Sequence, residues 1–141
     1  MPPYKIPKRV KHRKEFRRVR ERKATKGNYV AFGDYGLQAL DGCWLKSNCI
    51  EAGRIACQHY LKREGKLFIR VFPDKPISKK PLETRMGKGK ADVDYWAARV
   101  RPGTVLFELA GVSETRAREA FFRMAMKMPV RCRMIGRRIE A

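Results

Sequence analysis

Acidic residues are scarce in this chain. Fourteen Asp and Glu face 34 Lys and Arg across 141 residues, leaving a net charge of +20. Histidine is scarcer still, with only His12 and His59. Cys43, Cys49, Cys57 and Cys132 form no C-x-x-C pair, so the spacing of a zinc site is missing. An even cysteine count permits disulfides, but a domain of this size does not need them. Four buried thiols in a reducing cytosol is the expectation. No apolar run approaches the length of about 18 residues that crosses a membrane. The basic N-terminus leads into no apolar stretch, against a secretory signal. Its few serines, with Glu15 and Glu21, argue against a transit peptide, although an organelle stays open.

A P-loop is also missing. The stretch "PLETRMGKGK" at 81–90 alternates glycine with lysine, which suits a phosphate, because glycine lets backbone N–H groups approach and lysine supplies charge. A P-loop needs Ser or Thr after its Gly-Lys and a strand before it. Here Ala91 follows Lys90, and a proline-rich segment precedes it. The means of catalysis are equally thin. A nucleophile needs a base within reach and a partner to orient that base. Cys57 and His59 stand two apart on one predicted helix and so face different sides. Asp92 and Asp94 form an i, i+2 pair, best read as solvated or ion-paired at a strand edge. No ligand set for magnesium or zinc is apparent, and no cofactor is expected.

What the chain has is a core and an excess of cations. Hydrophobic residues make up 43%, enough for one folded domain. A charge of +20 repels itself in a compact monomer and is favourable against a polyanion. Nucleic acid fits that role better than a membrane surface. Residues 1–26 hold 12 Lys and Arg against 2 acids. Tyr4, Ile6, Val10, Phe16 and Val19 are their only core candidates. The expectation is a basic RNA-binding arm, disordered alone, followed by one domain over 27–141.

In that domain, "NYVAFGDYGLQAL" suggests one or two short strands with a bend at Gly33 and Gly36. A helix is predicted from Ser47 or Asn48, with Asn48 and Glu51 as a capping box. Ile50, Gly53, Cys57, Tyr60 and Leu61 form its stripe, and Gly65 its C′ residue. "KLFIRVF" reads as a covered strand. Pro73, Pro76 and Pro81 exclude helix or central strand beyond it, so 73–92 is a loop of about twenty residues, a length that implies a role. "VDYWAARV" and "TVLFELA" read as a β-hairpin around Arg101-Pro102-Gly103. Ser113 caps a second helix running to Lys127, with Ala117, Ala120, Phe121, Met124, Ala125 and Met128 inward. A last strand, "VRCRMIGRR", alternates apolar and basic residues. The fold class is α+β, an antiparallel or mixed sheet with two helices on one face, a basic arm and a long basic loop. The cations lie at both ends and in the middle loop rather than on one helix. Arms and loops wrapping RNA fit that pattern better than a DNA-reading module.

"RVFPDKP" at 70–76, "RMGKGK" at 85–90, "DYW" at 94–96 and "PGTVLFEL" at 102–109 together resemble the bacterial-type large-subunit ribosomal protein sixteen family. "PKRVKHRK" at 7–14, "VAFGDYGLQAL" at 30–40 and "GVSETRAREAF" at 111–121 extend the resemblance along nearly the whole chain. It implies a structural, non-enzymatic subunit that works in the ribosome in the cytoplasm. The implied partners are large-subunit rRNA, tRNA in the A site with the P site as a further candidate, and neighbouring ribosomal proteins. Neither a membrane nor a homo-oligomer is expected. The arm would meet rRNA through Lys8, Arg9, Lys11, His12, Arg13 and Lys14, then through Arg17, Arg18 and Arg20. The loop would reach tRNA through Arg85, Met86, Gly87, Lys88, Gly89 and Lys90. The alternative is a non-ribosomal RNA-binding or RNA-modifying protein. Three departures from the family stand out, one of them a start, "MPPYKI" at 1–6, that is longer than usual. Ala91 replaces a usual glycine, at a cost of about 1 kcal/mol if that position needs φ > 0. Residues 15–26 lack the family's glycines, so a short helix could form there.

Overall fold

A computed structural model describes residues 6–18 and 22–138. Tyr4, Val19 and Arg20 lie outside the described residues. Among the described residues nine elements follow one another: β1 (Tyr35–Ala39), β2 (Cys43–Lys46), α1 (Ser47–Leu61), β3 (Lys66–Ile69), β4 (Lys75–Ser78), β5 (Val93–Val100), β6 (Val105–Ala110), α2 (Glu114–Ala125) and β7 (Cys132–Gly136). The α+β class holds. The strands form two antiparallel sheets rather than one, in the orders β3-β6-β1-β7 and β2-β5-β4.

The expected hairpin of β5 with β6 does not form. A strand has two edges for hydrogen bonding, and both of β5 are taken, by β2 and β4. β6 pairs with β1 and β3 instead. The 101–104 turn steers the chain between the sheets. Gly103 N donates to Ala39 O at 2.7 Å, and Ala39 N donates to Thr104 O at 2.9 Å. The turn is thereby tied to the end of β1, not to β5.

The predicted loop over 73–92 also begins too early. β4 occupies 75–78 despite Pro76, because it is an edge strand with a single neighbour and can spare a donor. The irregular stretch is 79–92. Helix α1 starts one residue earlier than a cap at Ser47 or Asn48 allows. Lys46 is its N-cap, and no side chain caps it. Asn48 is therefore already inside the first turn, and Glu51 turns to Arg54 instead. The left-handed C-cap is Lys62, with φ 51°, not Gly65. Gly65 serves the next element. A Cβ there would lie 2.4 Å from Val112 Cγ2 and 2.8 Å from Ala110 O. Ser113 does precede α2 as its N-cap, and α2 ends at Ala125 rather than Lys127.

One apolar cluster joins the two helices to both sheets. Leu37, Phe107 and Leu109 from the first sheet and Leu45, Ala98 and Val100 from the second meet Ile50, Cys57, Ala120, Phe121 and Met124. Gly53 lets α1 approach closely, since a Cβ would stand 2.6 Å from the Met128 methyl and 3.3 Å from the Phe107 ring. Cys57 alone of the four thiols is fully buried. The other three are half-buried, and none is in a disulfide. Among the described residues no helix is long and apolar enough to cross a membrane.

Candidate nucleic-acid interface

The arm is tethered, not free. Residues 6–18 run without helix or strand beside the three-stranded sheet. Glu15, the single acid in that described stretch, ties them down. Its carboxylate meets Arg99 Nη2 of β5 at 2.5 Å and Lys75 Nζ of β4 at 3.7 Å. Lys75 is only 4% exposed. It also donates to Phe16 O at 2.9 Å and lies 5.3 Å from the Trp44 ring centroid. Burial first, and then the charge of Arg99, holds the Lys75 ammonium below its ordinary pKa, partly offset by Glu15. Around this anchor Lys8, Arg9, Lys11, His12, Arg13, Lys14, Arg17 and Arg18 are all exposed. The described residues between 15 and 26 contain no helix.

The loop is open to solvent, with every residue from Pro81 to Lys90 exposed. Met86 at its tip is 98% exposed. Gly87, Lys88 and Gly89 have φ of 102°, 60° and 81°, three consecutive left-handed residues. A Cβ on either glycine would meet nothing within 4 Å. The glycines therefore serve backbone conformation, and any close approach they permit is to a partner. Lys88 adopts the same region with a side chain, at a cost of about 1–2 kcal/mol. Ala91 has no positive φ, so the expected penalty there does not arise. Lys80 Nζ donates to Gly87 O at 2.6 Å and pulls the tip back on its stem.

Arm and loop meet. Lys14 Nζ donates to Lys90 O at 2.8 Å, and Lys90 Nζ donates in return to Glu15 O. Of the six loop residues singled out from the sequence, Lys90 thus faces the arm. Arg85 and Lys88 make no hydrogen bond or ion pair among the described residues. A cavity of about 550 Å³ lies where the arm, loop base and β4–β5 edge converge.

Sequence reasoning missed Lys75, Arg99 and Glu15 as one group. The signal available was one of only two acids in a run of cations. It also passed over Glu108, which is fully buried on β6. Its carboxylate accepts from the N–H groups of Ala31 (3.1 Å), Phe32 (2.6 Å) and Gly33 (2.8 Å), and from Arg70. Burial pushes its pKa up, but those donors outweigh it and hold the carboxyl below its ordinary value. Glu108 fixes the segment after the arm, while Arg70 lies over the Phe32 ring at 4.8 Å.

The candidate catalytic groups are not brought together. Asp92 and Asp94 are exposed, and His59 lies on the far helix. Burial pushes the Cys57 thiol up to about 11, leaving it protonated and a poor nucleophile. Among the described residues, no group of three or more His, Cys, Asp or Glu could hold a metal.

The large ribosomal subunit protein uL16 of Rhodopirellula baltica is 58% identical to this chain over 133 residues, 94% of this chain and 96% of that protein. The family model described as ribosomal protein L16p/L10e matches residues 7–135, an interval that takes in most of the arm, the exposed 81–90 loop and all but the last residue of the two sheets. The chain belongs to the ribosomal protein L16p/L10e family.

Proposed function

We propose that the chain is a structural constituent of the large ribosomal subunit, lying with its arm along the rRNA and its 81–90 loop toward tRNA in the A site, and by extension the P site. The chain is a ribosomal protein, not an enzyme, and its place is the ribosome in the cytoplasm. The observation that supports the finer reading is the junction of arm and loop. Lys14 and Lys90 bind across it, so two cationic segments far apart in sequence form one continuous surface. Phosphate contacts from such a surface position a protein on RNA without reading bases. Arg85 and Lys88, exposed and uncommitted at the tip, are the groups offered to tRNA phosphates. Phe16, 82% exposed, offers a face for a base to stack on.

The test is a photoreactive residue replacing Lys88 in assembled ribosomes carrying A-site tRNA. Crosslinks to the tRNA acceptor arm and adjacent rRNA are expected. Crosslinks to remote rRNA alone would withdraw the tRNA contact and leave an rRNA clamp.

A further inference from the structure

The cavity where the arm meets the sheet has an unusual balance of charge. Lys14, Arg18, Lys75, Lys90 and Arg99 line it together with one carboxylate, Glu15. Five cations against one acid leave a strong positive potential over a space of about 550 Å³. Glu15 sits between two of them, within 2.5 Å of Arg99 Nη2 and 3.7 Å of Lys75 Nζ. Lys75 is buried at this point, and burying an ammonium is unfavourable without an anion beside it. The fold is therefore committed to an anion in this cradle. A carboxylate and a phosphodiester are interchangeable in the relevant respects. Each carries a single negative charge shared over two terminal oxygens, which suits a guanidinium fork beside an ammonium.

We propose that the Lys75–Arg99–Lys90 cradle is a seat for one RNA backbone phosphate, and that Glu15 fills it in the free protein as a placeholder. This rests on the reading of the arm as an rRNA-binding segment. The geometry gives the placeholder a purpose. Without it, the cations of β4 and β5 would repel each other and the arm alike. With it, the arm is held against the domain, half-assembled for binding. The half-buried position of Glu15 matters here. An incoming strand can reach the carboxylate, displace it and leave the arm free to follow the RNA. Charge repulsion within the cradle agrees in direction. After burial, the charges of Arg99 and Lys90 hold the Lys75 ammonium's pKa down, and a bound phosphate would relieve that repulsion.

The experiment compares the full chain with its Glu15→Gln variant. Binding of both to transcribed large-subunit rRNA is measured, together with amide hydrogen exchange of residues 6–18 in the free proteins. Losing the placeholder is expected to reduce protection of the arm. It is also expected to tighten RNA binding about two- to fivefold, the scale of one partly exposed ion pair that no longer has to break. The joint result separates this inference from a clamp that persists on RNA. Unchanged protection, or RNA binding that is equal or weaker in the variant, would overturn the placeholder. Failure of both chains to bind rRNA would overturn the RNA reading itself. Inorganic phosphate is the remaining probe. It is expected to leave arm protection in the unsubstituted chain unchanged. Loss of protection with phosphate alone would make the cradle a free-anion site and overturn its assignment to RNA.

Discussion

Glu108 is the residue on which the path of the chain into the domain depends. Removing its carboxylate leaves three N–H groups and the Arg70 guanidinium without their acceptor. Breaking a buried charge pair by deleting one partner costs about 3–5 kcal/mol. Glu108→Ala is expected to lose that much in a denaturant melt, and Glu108→Gln somewhat less, because an amide oxygen still accepts. The sign of the pH effect follows from the depressed pKa. The contribution is complete above the unfolded carboxyl value of 4.5 and is lost as pH falls through the lower folded value. Stability of the unsubstituted chain should therefore fall with acid below about pH 4.5, and Glu108→Gln should flatten that fall. Equal acid sensitivity in both would remove Glu108 from this role. Nothing local in "VLFEL" announces a buried acid. The sequence shows one charge in an apolar strand, and only the crossing 31–33 segment and Arg70, brought alongside by the pairing of β3 with β6, supply its donors.

At the scale of elements, the helices and most strands were legible because their periodicity is local. Ser113, Ala117, Ala120, Phe121 and Met124 define α2 without reference to the rest of the chain. Partnership between strands is not local, and there the hairpin expectation failed. A turn such as Arg101-Pro102-Gly103 is compatible with a hairpin. What forbids one is that β2 and β4, from distant parts of the sequence, already hold both edges of β5. The packing of α1 against α2 makes a sharper prediction. At Gly53 the nearest obstacle to a methyl is the mobile end of Met128. Alanine also gains about 1 kcal/mol of helix propensity over glycine. Gly53→Ala should thus be close to neutral in thermal unfolding. Gly53→Leu cannot be accommodated by one methionine and meets Phe107 and Met124 as well, so a loss of about 1–3 kcal/mol is expected. A neutral leucine variant would show that the helix interface is looser than its packing indicates. The loop tip is the opposite case. Gly87→Ala and Gly89→Ala have no steric obstacle, only the left-handed backbone. Each alanine strains the tip by about 1 kcal/mol, which an exposed loop without core contacts relieves by local rearrangement, so the melting temperature of the domain should hold while A-site tRNA binding by assembled ribosomes weakens. An altered melting temperature would tie the tip to the core.

The whole molecule divides its charge between the folded domain and a basic arm. Half of the +20 lies within residues 1–26, and the arm's cations were legible because composition alone reveals them. The place where the arm meets the domain was not. It depends on Lys75 of β4 and Arg99 of β5 converging on Glu15, with Lys75 paired to Ala97 two residues from Arg99, an arrangement that no sequence spacing encodes. Residues 24–27 belong structurally to the domain, since Ala24 N donates to Pro102 O and Gly27 O accepts from Val105 N. Cutting after residue 18 therefore separates arm from domain better than cutting at 26. Loss of residues 1–18 removes eight Lys and Arg while sparing the apolar cluster that joins the sheets and helices. The truncated chain should keep a single cooperative melt, and its Lys75 gains water in exchange for Phe16 O and Glu15. Its binding to rRNA should weaken. The fall of log K with log salt should become shallower, by about 0.7–0.9 for each phosphate that the arm no longer neutralises. A salt slope unchanged by the truncation would mean that the arm's cations are solvated in the complex. The charge holding the protein to RNA would then belong to the folded domain and its loop.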